Sequence, residues 1–137
     1  MQSIDSAAWF VVLAACLLTA GSTVDVTGAW TGEIKDQEGY IGHIRFVLKQ
    51  TGGQITGAAG PSSRPTLPAI YAGKLERNHL TFSADDADSN GSRMMYNFDL
   101  TVTDDQMHGK VYGRSEEHSW TLVVSMTREK SKPQERR

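Results

Sequence analysis

The chain has 137 residues, 39% hydrophobic and 22% charged, with a formal net charge of −2. That length holds one domain, and the balance is that of a soluble globular protein rather than a disordered chain. A charge so near neutral gives no electrostatic basis for nucleic acid or anionic membrane as a general partner.

Residues 7–20 read AAWFVVLAACLLTA, a fourteen-residue apolar run. It is too short for a comfortable transmembrane helix and has the length of a signal-peptide core. Thr19, Ala20, Gly21 and Ser22 supply the small residues a signal peptidase requires, placing cleavage near Gly21 or Ser22. Residues 1–6 depart from the usual pattern, carrying Asp5 and no Lys or Arg. The expected organisation is a signal peptide over 1–22, a β-barrel domain over 23–130 and a charged, disordered tail over 131–137. The mature protein is then expected to be secreted or periplasmic, with a charge of −1 once Asp5 is removed. Leu13-Ala14-Ala15-Cys16 resembles the lipobox of bacterial lipoproteins, which implies an alternative in which lipidated Cys16 anchors the protein to the envelope. If Cys16 leaves with the leader, the mature chain has no cysteine, which excludes disulfides, thiolate metal sites and a Cys nucleophile.

From Asp25 onward helical periodicity is absent, and β-rich stretches alternate with Gly, Asn, Asp and Pro at short intervals. Eight strands are expected, over 25–35, 41–50, 53–59, 69–77, 79–85, 92–103, 107–114 and 119–129. Their connections are short enough to make most neighbours hairpins. Alternation selects one apolar face, because successive side chains of a strand point to opposite sides. The inward set is Val26, Trp30, Ile34, Ile44, Phe46, Leu48, Ile55, Tyr71, Leu75, Leu80 and Phe82. It continues with Met94, Tyr96, Phe98, Leu100, Val102, Met107, Val111, Trp120, Leu122, Val124 and Met126.

A sheet of eight strands with one apolar face must bury that face, and the mature chain offers no helix to cover it. The expected fold is therefore all-β, an eight-stranded antiparallel up-and-down barrel, with a two-sheet sandwich as the rival. Gly28, Gly32, Gly57, Gly73, Gly109 and Gly113 fall on the inward parity, where glycine permits strand bending or leaves room beside aromatics.

The first strand carries Gly28-Ala29-Trp30 and the last ends Met126-Thr127-Arg128-Glu129. This pattern resembles the calycin superfamily of lipocalins, fatty-acid-binding proteins and avidins. It is also similar to short calycin-type modules of uncharacterised exported bacterial proteins, which carry no activity with them. The lipocalin resemblance implies that Trp30 lies across the closed end of the barrel beneath Arg128. Antiparallel pairing of the first and last strands would bring those two residues together, where a guanidinium over an indole contributes about 0.5 to 2 kcal/mol. The avidin tryptophan set has no counterpart, since only Trp30 and Trp120 follow the leader, and biotin binding is not implied.

The loops opposite Trp30, at 36–40, 60–68, 85–91 and 115–118, form the expected mouth. They hold Asp36, Glu38, Asp85, Asp86, Asp88, Glu116 and Glu117 against Arg64, a rim that disfavours anions, or else an ordinary solvated surface. Residues 60–68, GPSSRPTLP, contain three prolines and read as either a lid or a stiff crossover. Residues 86–91 match the opening of a Ca²⁺ loop, but Asn97 stands where a Glu ligand is required and an Asn-Gly turn explains the same residues. Asn90-Gly91-Ser92 is a glycosylation sequon if the source is eukaryotic. His43, His79, His108 and His118 are dispersed, so no metal site is expected. No carboxylate pair, Ser-His-Asp set or phosphate loop is visible, so no catalytic residue and no cofactor are expected. His108, Lys110, Tyr112 and Arg114 form a basic stripe that reads as a solvated strand face.

The expected function is binding without catalysis: a small apolar or weakly cationic molecule held among Phe46, Tyr71, Phe82, Tyr96, Phe98 and Trp120. The alternative is a structural or protein-interaction module whose large inward side chains leave no cavity. Roughly 300 Å³ or more of connected interior would support the first, and separate voids near the size of a water molecule would support the second.

Overall fold

The computed structural model describes residues 24–87 and 90–130. They form β1 (Gly28–Lys35), β2 (Ile41–Thr51), β3 (Gln54–Pro61), β4 (Ile70–Glu76), β5 (His79–Ala87), β6 (Arg93–Thr103), β7 (Gln106–Arg114) and β8 (Ser119–Arg128). Each strand pairs antiparallel with the next, and β8 returns to β1 in register from Trp30 opposite Arg128 to Lys35 opposite Val123. The sheet is thus a closed eight-stranded barrel, and the sandwich alternative is set aside by that closing ladder. The largest departure from the expected strand limits is at the start of β1, which begins at Gly28. The residues before it run under the barrel, and Val26 is fully buried there.

The period-two pattern accounts for the interior. Trp30, Ile44, Phe46, Leu48, Ile55, Leu75, Leu80, Phe82, Phe98, Leu100, Val102, Met107, Val111, Val124 and Met126 are all buried. Val24, Ile34, Ile70, Tyr96 and Leu122 pack against this cluster half-buried. Phe82 stacks on Phe98 with ring centroids 4.7 Å apart, and Phe46 stands edge-on to both at 5.1 and 5.3 Å. Such pairs add about 0.5 to 1.5 kcal/mol each beyond the area they bury. Close approach of strands relies on glycine where the wall bends. At Gly57, with φ of +136°, an added Cβ would lie 1.9 Å from the Val47 carbonyl oxygen.

One expected inward residue is on the outside. Tyr71 is 44% exposed because the β4–β5 register shifts between Tyr71 and Lys74. Ala72 adopts φ of +57° there, and the extra residue reverses the parity, so Ile70 and Leu75 face the core while Tyr71 does not. The same irregularity shortens the β3–β4 ladder to Gln54–Lys74 and Ile55–Gly73, with one isolated bridge from Ala58 to Ala69.

Candidate functional site

The two ends of the barrel differ in what they leave open. At one end Trp30 is fully buried and its Nε1 donates to the Val26 carbonyl at 3.0 Å. The Arg128 guanidinium lies over the indole, 4.4 Å from the ring centroid. Its Nη1 donates to the Thr27 carbonyl at 3.1 Å, its Nη2 to the Asp25 carbonyl at 2.8 Å, and its Nε to Asp105 Oδ1 at 2.8 Å. Gln50 completes the closure by accepting the Val26 N–H at its Oε1, 2.9 Å away. The carbonyls of Asp25, Val26 and Thr27, which lead into β1, are each met by this one side chain or by the indole, so this end is a plug.

The opposite end holds an apolar cup of about 90 Å³. Phe98, Ile44 and Val111 lie deepest in it, Ile34, Leu122 and Tyr96 form its walls, and residues 59–61, Pro68 and residues 84–86 bound the side nearest β3 and β5. The space exists because small residues, Ala59, Gly60 and Ala84, occupy that side of the lining. A volume of 90 Å³ is about three times the share of liquid volume taken by one water and less than the roughly 150 Å³ that houses benzene in an engineered apolar cavity. It accommodates an alkyl group of a few carbons.

The rim is ionic, and two of its carboxylates are paired with arginines. Arg64 Nη1 donates to both carboxylate oxygens of Asp86, at 3.0 and 2.8 Å. Asp85 accepts the Tyr71 hydroxyl at 2.8 Å and the Arg93 Nε at 2.9 Å. The Tyr71 hydrogen bond, then the Arg93 hydrogen bonds, hold the Asp85 carboxyl below the usual range, and the same Asp85 bond holds the Tyr71 phenol above its own. Burial, with the nearby Asp86 charge, pushes the Tyr96 phenol up. Asp36 accepts the N–H groups of Glu38 and Tyr40, each at 2.9 Å, and so shapes its own turn.

The six aromatics expected to hold a ligand are distributed over four environments. Phe46 and Phe82 are core, Phe98 and Tyr96 line the cup, and Trp120 is half-buried at the mouth, edge-on to Tyr96 with centroids 6.1 Å apart. Tyr71 is outside on the rim. Sequence reading missed the aliphatic lining, Ile34, Ile44, Val111 and Leu122, although their inward parity was visible, and it missed Arg93 as a rim cation. Among the described residues no three His, Cys, Asp or Glu side chains converge as metal ligands would. His79 instead pairs with Asp99 at 2.6 Å on the outer wall. Cys16, the proposed leader, Asp88 and the tail lie outside the described residues. Compared with protein families, curated proteins and solved structures, the chain matches none of them.

Proposed function

We propose that this is an exported, lipocalin-like binding protein that takes the short apolar part of a small molecule into the open-end cup without transforming it. The observation that carries this reading is an apolar cavity at the end opposite Trp30, floored by Phe98 and Ile44 beneath a polar rim. Apolar lining supplies area, and a few convergent polar groups at the edge supply orientation, which is the usual make-up of a small-molecule site. In this reading Tyr96 and Phe98 meet the ligand, Trp120 stands beside Tyr96 at the mouth, Tyr71 holds the rim through Asp85, and Phe46 and Phe82 support the cup from the core.

A second reading, an interaction module acting through its outer wall, is favoured by the packing of Phe46, Phe82 and Phe98, which fills the middle of the barrel. The cup, at about 90 Å³, is also well below the roughly 300 Å³ of ordinary ligand pockets. Native mass spectrometry of the protein from its own host, with an Ala84→Leu variant that fills the cup, separates the two. A small-molecule adduct present on the natural chain and lost from the variant supports binding in the cup. A clean apo mass for both, unchanged after incubation with a library of small alkyl compounds, overturns binding and leaves the module.

A further inference from the structure

Residues 60–68 cross from β3 to β4 beside the cup, and their backbone is fixed near its ends. The Ser62 N–H donates to the His43 carbonyl at 3.0 Å, and the Ala59 N–H donates to the Pro68 carbonyl at 3.0 Å. Between those points the Arg64 side chain reaches β5 and ties the loop to Asp86. Pro61, Pro65 and Pro68 limit how the loop can rearrange, so it carries Arg64 as a short, stiff arm.

The two partners of that ion pair are unequally placed. Asp86 lines the cup and its side chain is 19% exposed, whereas Arg64 does not line the cup and its side chain is 42% exposed. A carboxylate at the edge of an apolar cavity is less hydrated than one in open water and favours a cation beside it, although Asp86 also accepts the Ala87 N–H at 2.9 Å. A guanidinium that is largely in water loses little by leaving. Asp85, the other rim carboxylate, is already held by Tyr71 and Arg93 on the outer wall.

We infer that Arg64 is a resident stand-in at a cation subsite on Asp86, and that the ligand of the cup is a short-chain alkyl primary amine whose ammonium group displaces it. This rests on the binding reading above. The ammonium takes the Asp86 carboxylate, and the alkyl chain of a few carbons fills the 90 Å³ between Phe98, Ile44 and Leu122. A carboxylate of the same shape is repelled by Asp86, and an alcohol of the same shape gains only the apolar contact. Longer amines exceed the cup and leave their chains in water.

The test is calorimetric titration of the full chain, its Arg64→Ala variant and its Asp86→Asn variant with 3-methylbutylamine, 3-methylbutan-1-ol and 4-methylpentanoate. The amine is expected to bind the natural chain more tightly than the alcohol, with the carboxylate weakest. Arg64→Ala is expected to tighten the amine about two- to fivefold, the worth of an exposed ion pair, and to leave the alcohol unchanged. Asp86→Asn is expected to make amine and alcohol equal. If the alcohol binds as well as the amine, or Arg64→Ala leaves the amine unchanged, the cation subsite is overturned while binding in the cup stands. If none of the three compounds binds the natural chain or Arg64→Ala, the cup itself is not a binding site and both readings fall. Arg64 is on an exposed loop, so its variant answers the question even if Asp86→Asn disturbs folding.

Discussion

The indole of Trp120 covers Gly113: an added Cβ at that glycine would come within 2.3 Å of the ring atoms Nε1 and Cε2. The two residues face each other across the β7–β8 ladder, so the ring leans over the strand beside it at the mouth, edge-on to Tyr96. Gly113→Ala is expected to push the indole toward water and to cost about 1 to 3 kcal/mol by overpacking. In a Trp9→Phe background, fluorescence emission should move to longer wavelength, since Trp30 at the far end is fully buried and stays constant. An unshifted spectrum with unchanged stability would show that the ring does not rest there.

Arg128 satisfies two backbone carbonyls and covers Trp30 at once. Hydrogen bonds from a charged group contribute about 1.5 to 3 kcal/mol, so Arg128→Ala is expected to lower unfolding free energy by roughly 2 to 3 kcal/mol. Asp105→Ala, which removes only the most exposed partner of that guanidinium, should cost under about 1 kcal/mol. Urea unfolding of both variants checks the contrast; equal losses would place the stabilisation in the ion pair instead.

The phenylalanine cluster is expected to behave as a unit. Phe82→Ala and Phe46→Ala should each cost about 3 to 5 kcal/mol. Because the rings touch at 5.1 Å, the double variant should fall short of the sum by roughly 0.5 to 1.5 kcal/mol. Strict additivity in a double-mutant cycle would contradict the edge-on contact.

Several carboxylates are held below their usual range. The Arg45 hydrogen bond does so for Glu129, the Tyr71 and Arg93 hydrogen bonds for Asp85, and the Thr27 backbone N–H for Asp25. A group whose pKa is lower folded than unfolded stabilises the fold above its unfolded pKa and loses that contribution as pH falls through the folded value. The urea midpoint is therefore expected to stay level from neutral pH to about 5 and to drop progressively below it, as Glu and Asp of the unfolded chain protonate around pH 4. Glu129→Gln combined with Asp85→Asn should flatten that drop. An equally steep drop in the double variant would assign the acid sensitivity to other groups.

Alternation was enough to read the strand plan, because a barrel closed on itself has one dry face and every strand must contribute to it. Trp30, Phe46, Phe82, Leu100 and Met126 are each where a period of two puts them. Tyr71 breaks the pattern because a bulge at Ala72, a residue with no marked preference for positive φ, inserts one position into β4. The cup was less legible. It depends on Ala59, Gly60 and Ala84 meeting in space, and small residues signal a void only once strand register is known. The acidic rim was visible, but the pairing of Asp86 with Arg64 and of Asp85 with Arg93 was not, since those pairings depend on how a loop and a neighbouring strand fold back.

The ladder between β1 and β8 joins the first strand of the barrel to its last. β1 has no closing partner until β8 is in place, so the barrel stays open until the residues up to Arg128 are free to pair. Long-range pairing of this kind folds slowly, and a chain stopped before β8 exposes β1 and β7 as two unpaired edges. Truncation at the end of β7 should therefore yield an aggregating fragment rather than a smaller barrel, so the last strand decides whether every earlier one has a native state to reach.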